Sequence, residues 1–503
     1  MNRPIRTVSI FCMFLFLALM VNVTYLQFWH AEELNTDPAN ARVAEAAFSR
    51  ERGVIIAGEG RDQATLARST EIDDQYKYLR VYPQPLKYAN VTGYLTLGTQ
   101  TGIERSQNTV LSGEDPRLFV TRLIDLAQNQ SNKGGNVLLT LDPQVQEAAY
   151  DALLSTVGPD GEGSVVAIEP KTGRVLAMVS LPSYDPNDLA THDFAASREA
   201  YNRLDSDEQE PLVNRAIQTR LFPGSTFKVV TASAAIENGL YTADDDVPAG
   251  ATWQTPGTTG SSNVIDNEGR FLCNPEQVSF ATAMAQSCNT AFAKMAVELG
   301  PEAMREQAEA FGFNSEYLLD LSPQVESVYP TGVEGPDGET VELNDAQTAQ
   351  TGFGQFEVQA TPLQMAMVVS ALANRGTLMR PYLVEEVQDA DYSTLEQTEP
   401  DELRDAVSPS TADQVTDLML ETVNNGTAFP AQIPGVSVAG KTGTAQRGVE
   451  GQPPYGWFVS FAPAEDAEVA VAVMIQEAPG KEIAGGQLGG PIAKAVMEAV
   501  LDD

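Results

Sequence analysis

Ser225-Thr226-Phe227-Lys228 sets a hydroxyl and an amine three positions apart. On a helix that spacing puts both side chains on one face, about one turn from each other. Of the nine lysines in the chain, Lys228 is the one that a serine precedes at this spacing. Pro223 and Gly224 supply a turn, so Ser225 is expected to open the helix. Backbone N–H groups there favour negative charge, as on an attacked serine oxygen. The pair reads as a nucleophile beside a base. A lysine serves as base only when neutral, and its ordinary pKa is about 10.4. Bringing it near 7 takes roughly 4 kcal/mol, from burial and a nearby second cation. Lys441 is the expected second cation.

The rest of the chain leaves little else for a serine to use. There are two histidines, His30 and His192, and no Gly-x-Ser-x-Gly elbow. His30 abuts the apolar N-terminal stretch, so a Ser-His-Asp triad would rest on His192 alone, and a zinc site with two or more histidine ligands is excluded. No metal and no cofactor are expected. Two further motifs follow in order. Ser287-Cys288-Asn289 lies 62 residues after Ser225, and Lys441-Thr442-Gly443-Thr444 lies 154 residues after Ser287.

The last motif is ambiguous on its face. Gly435, four residues, then Gly440-Lys441-Thr442 also fits a phosphate-cradling P-loop. A P-loop needs a strand before it and a helix after it, whereas "FPAQIP" precedes and the Gly- and Pro-rich "TAQRGVEGQPPYG" follows. Val436, Val438 and Gly440 alternate with Ser437 and Ala439, so the stretch itself reads as a strand. A second Lys-Thr-Gly, at 171–173, sits at the tip of a hairpin spanning 164–180 and reads as structural.

Around these motifs the elements alternate in type. A strand and a helix are expected over 136–154, with Asp142 as N-cap and Pro143 at the first helical position. Helices are expected over 225–239, 361–376 (with Gly376 as C-cap), 411–426 and 490–501, and strands over 455–463 and 468–477. This is an α+β fold, an antiparallel sheet flanked by helices.

The first thirty residues carry the compartment. Residues 8–29 hold no charge, are mostly apolar and are long enough to span a bilayer as a helix. Arg3 and Arg6 precede them, while Glu32, Glu33 and Asp37 follow, so a cytoplasmic N-terminus is expected. Tyr25, Phe28 and Trp29 suit an interfacial anchor better than a cleavage site. The division expected is a cytoplasmic tail 1–7, a transmembrane helix 8–29, a small non-catalytic pedestal 30–154 and a catalytic domain 155–503. The formal net charge of −38 argues against a nucleic-acid partner.

Ser-x-x-Lys, Ser-x-Asn and Lys-Thr-Gly in this order are the trio of the penicillin-binding proteins and class A β-lactamases. The chain resembles the class B penicillin-binding proteins, those of actinobacteria above all. The likeness extends through "NRPIR" near the N-terminus, "RGVI" (52–55), "VVAIEPKTGRVLAMVSLPSYDPN" (165–187), "NRAIQTRLFPGSTFK" (214–228), "GFGQFEVQATPLQMA" (352–366) and "AGKTGTAQ" (439–446). Residues 35–135 match least. The resemblance implies a serine β-lactamase-like transpeptidase domain, and a D,D-transpeptidase that cross-links peptidoglycan stem peptides and is acylated by β-lactams. Ser225 would be the nucleophile and Lys228 its base. Ser287 would relay a proton to the leaving amine, and Asn289 would orient Lys228 and the substrate. Lys441, Thr442, Gly443 and Thr444 would bind the substrate, with the N–H groups of Ser225 and Thr444 forming the oxyanion hole. A SEDS-type membrane glycosyltransferase is the implied partner.

The alternatives weigh less. A class A β-lactamase needs a Glu-x-x-Leu-Asn pentad, and none lies between Ser287 and Lys441. About 125 residues before the catalytic domain are too few for a glycosyltransferase as well. A sensor would need more than the seven residues expected inside the cell. A D,D-carboxypeptidase shares every motif residue and differs in its acceptor, water. Cys273 and Cys288, both outside the cell, are either bridged or two buried thiols; a bridge would brace Asn289.

Overall fold

The computed structural model describes residues 2–30, 48–58, 60, 62–74, 76–118, 133–335, 337–447 and 451–502. Glu32, Glu33 and Asp37, on which part of the topology expectation leans, lie outside them. The N-terminal helix runs Asn2–Phe28, and by length and composition it is apolar enough to cross a membrane. Thr7, Ser9 and Thr24 turn their hydroxyls back onto the carbonyls of Arg3, Ile5 and Met20, so these three hydroxyls are satisfied within the helix.

The catalytic motifs hang on a five-stranded antiparallel sheet. Its order is Ala439–Ala445, Tyr455–Ala462, Val469–Glu477, Glu162–Ile168, Val175–Leu181. The Lys-Thr-Gly motif therefore occupies an edge strand, in register Lys441 to Val459 and Gly443 to Trp457. Side chains alternate across a strand, and here both faces are covered. Val471 and Val473 face the helices Pro143–Val157 and Gly490–Leu501, where Leu153, Ile492 and Val496 wait. Ala472 and Met474 face the other way, toward Met365 and Val369 of the helix Pro362–Ala373. Each of the valine, leucine, isoleucine and methionine side chains among them, fully buried, contributes about 1.5–3 kcal/mol. The capping chemistry follows the sequence: Asp142 accepts from the N–H groups of Gln144 and Val145 at 2.8 and 3.0 Å, with Pro143 at the first position.

Three local expectations are corrected. Ser225 does not open an α-helix: Gly224–Phe227 is a 3₁₀ turn, and the α-helix begins at Lys228 and runs to Glu237. Gly376 is not the C-cap of its helix, which ends at Asn374. Arg375 and Gly376 then turn the chain through left-handed backbone into the strand Thr377–Met379, and a Cβ on Gly376 would stand 2.1 Å from the Val407 carbonyl oxygen. The edge strand starts at Ala439, because Val436 closes a tight bridge with Ile433.

A second sheet lies toward the N-terminal half, in the order Thr394–Gln397, Val384–Gln388, Asn136–Leu139, Ile55–Ala57, Ala64–Glu71, Tyr78–Val81. Two of its six strands come from late in the chain. Beneath it, Glu104 is fully buried between two guanidiniums, accepting from Arg52 Nε and Arg80 Nε at 2.6 Å each.

Candidate active site

The nucleophile turn is positioned by glycine. Gly224 has φ +53° and donates its N–H to the Gly354 carbonyl at 3.0 Å. A Cβ on Gly354 would meet Gly224 O at 2.2 Å, so backbone packs directly on backbone. Gly443 does the same from the edge strand, where a Cβ would lie 2.9 Å from Pro223 O and 3.0 Å from Thr226 Cγ2. The 3₁₀ geometry eclipses positions three apart, which aligns Ser225 with Lys228 more directly than an α-turn does. Among the described residues, no hydrogen bond engages the Ser225 hydroxyl. Ser225, Asn289 and Thr444 share a cavity of about 300 Å³ with Asp266, Glu268 and Gln350.

Lys228 opens a helix that is buried on every side. Its Nζ lies 2.8 Å from the Ser287 carbonyl oxygen, 2.6 Å from Asn289 Oδ1 and 3.0 Å from Ser287 Oγ. The first two partners can only accept. A neutral amine has two N–H groups, and two carbonyl oxygens take both. That leaves the lone pair for a hydroxyl.

Ser287 reaches its place through a left-handed backbone, φ +57°. Its Oγ also accepts from Lys441 Nζ at 2.9 Å, and Lys441 Nζ in turn donates to the Thr442 carbonyl at 3.0 Å. Thr442 turns its hydroxyl to Thr427 Oγ1, 2.8 Å away, so Thr444 is the threonine of this strand that lines the cavity.

Electrostatics favours the neutral amine. Burial pushes Lys228 well below its ordinary value, the Lys441 cation and then Arg270 add to this, and Glu268 opposes them. Lys441 is also pushed well down, by burial and then by Arg270. Two buried amines on one hydroxyl do not both stay charged.

Cys273 and Cys288 form a disulfide, with Cα atoms 5.5 Å apart. It closes beside Asn289, whose Nδ2 donates to the Asp266 carbonyl at 3.0 Å, while the Thr290 N–H donates to Asn267 Oδ1 at 3.1 Å. The loop carrying residues 266–273 is thereby clipped over the Ser-x-Asn turn. Sequence reasoning brought together Ser225, Lys228, Ser287, Asn289 and Lys441; hydrogen bonds join Lys228, Ser287, Asn289 and Lys441, and Ser225 shares a cavity with Asn289. It missed Asp266, Glu268, Arg270 and Gln350. For the first three the signal was the cysteine pairing, which pulls "DNEGRFLC" onto the site; for Gln350 the sequence carried none.

Among the described residues, the Lys-Thr-Gly strand is followed by the strand Tyr455–Ala462 and not by a helix, and its backbone is spent on a strand ladder, so the P-loop reading has no cradle to stand on. The architecture and motif geometry define a serine acyl-transferase of the penicillin-interacting class. Residues 163–498 match the family described as penicillin binding protein transpeptidase domain, and residues 52–137 match the penicillin binding protein A dimerisation domain. The chain belongs to the penicillin-binding protein transpeptidase family. It is 42% identical to peptidoglycan D,D-transpeptidase PbpA of Mycolicibacterium smegmatis, covering 100% of this chain and 99% of that protein. It is 39% identical, at the same coverage, to the protein of that name from Mycobacterium tuberculosis. Penicillin-binding protein A of M. tuberculosis, solved as a ceftriaxone acyl-enzyme complex, superposes with a TM-score of 0.82 at 38% identity, over 91% of this chain and 100% of that one.

Proposed function

We propose that this protein is a peptidoglycan D,D-transpeptidase that works through an acyl-enzyme on Ser225. The observation that carries the reading is the convergence of Lys228 and Lys441 on the Ser287 hydroxyl, with Asn289, the other side chain on Lys228, lining the same cavity as Ser225. Ser225 Oγ attacks the carbonyl of the penultimate D-Ala while neutral Lys228 takes its proton. The N–H groups of Ser225 and Thr444 hold the developing oxyanion, each worth about 3 kcal/mol. The C–N bond breaks, Ser287 passes a proton to the leaving D-Ala amine, and an ester remains on Ser225. Asn289 fixes Lys228 and the donor backbone. Thr444 receives the donor carboxylate with Lys441 behind it, Thr442 backs the strand through Thr427, and Gly443 lets the strand approach the turn. The amine of a second stem peptide then attacks the ester, forms the cross-link and frees Ser225. A β-lactam takes the donor's place and leaves a lasting ester.

The helix Arg3–Phe28 suits a single-pass anchor with the N-terminus in the cytoplasm and the catalytic domain outside. The segment between them serves as a pedestal, and a SEDS-type glycosyltransferase would supply the glycan strands. Intact-mass measurement after benzylpenicillin tests the reading. One adduct is expected on the wild type, mapped to Ser225, and none on Ser225→Ala; an unmodified wild type sinks it.

A further inference from the structure

Arg270 stands where none of the three motifs would put a functional residue. It lies in the loop clipped by the disulfide, three positions before Cys273. Its backbone is fixed on both sides: its N–H donates to Asn267 O, and its carbonyl accepts from the Cys273 N–H, each at 3.0 Å. Asn267 is in turn held by the Thr290 N–H, at the start of the helix that follows the Ser-x-Asn motif. The guanidinium thus reaches the site from a loop tied at several points. Nη1 donates to the Ser287 carbonyl oxygen at 3.4 Å, the same oxygen that Lys228 Nζ meets at 2.8 Å. Nη2 pairs with Glu268 Oε2 at 3.0 Å.

Three cationic groups therefore crowd one turn. Lys228 and Lys441 are both fully buried amines, and each can lose a proton. A guanidinium keeps its proton in any protein environment. We propose that Arg270 is a positioning residue of the reaction: sharing the Ser287 carbonyl with Lys228, it is the fixed cation that holds Lys228 in its amine form while Lys441 exchanges protons with Ser287. Charge on Lys441 alone would not suffice, because a proton moving through Ser287 changes it during the reaction. The groups facing Lys228 are Lys441, Arg270 and, with opposite sign, Glu268; Arg270 is the charge facing Lys441. The inference rests on the reading of Lys228 as base.

The sign is open to test through the pH dependence of acylation. The rate follows the neutral fraction of the base, so it falls on the acid side. Removing a neighbouring cation strengthens the lysine's hold on its proton and moves that fall to higher pH. Removing the neighbouring anion moves it to lower pH. Benzylpenicillin acylation of the full-length protein in detergent is followed from pH 5.5 to 9 for the wild type, Arg270→Gln, Arg270→Lys and Glu268→Gln. Thiol counts confirm that the disulfide is intact. At pH 6, Arg270→Gln is expected to be roughly tenfold slower than the wild type, with the two converging near pH 9. Arg270→Lys should stay close to the wild type, and Glu268→Gln should shift the opposite way. A rate for Arg270→Gln that is lowered by one constant factor at every pH overturns the proposal and leaves a merely structural arginine. If Arg270→Gln does not fold, Glu268→Gln decides alone, and an acid limb that stays put or rises overturns it. A wild type that takes no adduct on Ser225 sinks the base reading and this one with it, whereas an acylated wild type with an unmoved limb in the variants sinks this one only.

Discussion

Lys441, on the edge strand, donates from Nζ to Ser287 Oγ at 2.9 Å, across 154 residues of chain. Lys228 approaches the same oxygen at 3.0 Å, so Ser287 is a junction between two amines. With Lys441 donating and Lys228 offering a lone pair, the Ser287 proton can point toward Lys228. That is the geometry of a relay.

Ser287→Ala removes the junction and leaves both amines in place. Acylation by benzylpenicillin is expected to slow by about 10²-fold or more, the usual scale for losing a proton-transfer group. Stopped-flow or gel-based labelling with a fluorescent penicillin measures this. An unchanged rate would mean that Lys228 needs no relay.

Gly354 supports the nucleophile without touching substrate. A methyl group there would collide with the Gly224 carbonyl at 2.2 Å, and φ +71° is costly for any L side chain. Gly354→Ala is expected to displace the Ser225 turn and lower the acylation rate by more than tenfold, on the scale of a misplacement of about 1 Å. The protein should still fold, since the change is local; circular dichroism and the labelling rate together check both halves.

How much of this could be read from the chain depends on the range of the interaction. The Ser225–Lys228 pair, the Asp142 cap and the alternating strands are local, and residue types a few positions apart dictate them. The lysine pair on Ser287 joins segments far apart, and only the known order of the three motifs suggested it. Ser225 in a 3₁₀ turn was not foreseeable from Pro223-Gly224 alone, because the contact that forces the turn comes from Gly354. Arg270 was invisible for a related reason: an arginine in a polar loop is ordinarily solvated, and a disulfide rather than local pattern brings it inward. The strands Val384–Gln388 and Thr394–Gln397 were missed because their partners come from the N-terminal half, across a sheet no local period describes.

The disulfide gives a stability prediction. It closes a loop of 15 residues, worth about 3 kcal/mol in the chain-entropy account. The double variant Cys273→Ser, Cys288→Ser is expected to lose about that much in denaturant unfolding, and to acylate more slowly because Asn289 loses its brace. Equal stability with and without the bridge would contradict this.

Glu104 gives a second stability prediction, with a sign in pH. Burial raises its carboxyl, but Arg80 and Arg52 outweigh burial and hold it below the usual carboxylate range. A carboxyl depressed in the folded state stabilises above its unfolded value, and that contribution is lost as pH falls through the folded one. Glu104→Gln is expected to cost about 3–5 kcal/mol near neutral pH, since two buried guanidiniums lose their counter-charge. The penalty relative to the wild type should shrink in strong acid, and thermal melts across pH measure it.

The strand Val384–Gln388 pairs antiparallel with Asn136–Leu139, in register Val387 to Val137. A shortened gene product starting at residue 155 would strip that neighbour away and leave a row of bare amides and carbonyls on an exposed rim. Such rims recruit strangers, and clumping follows. Crystallographers and assay developers who wish to trim the protein to its enzyme half do better to retain everything from Arg52 onward.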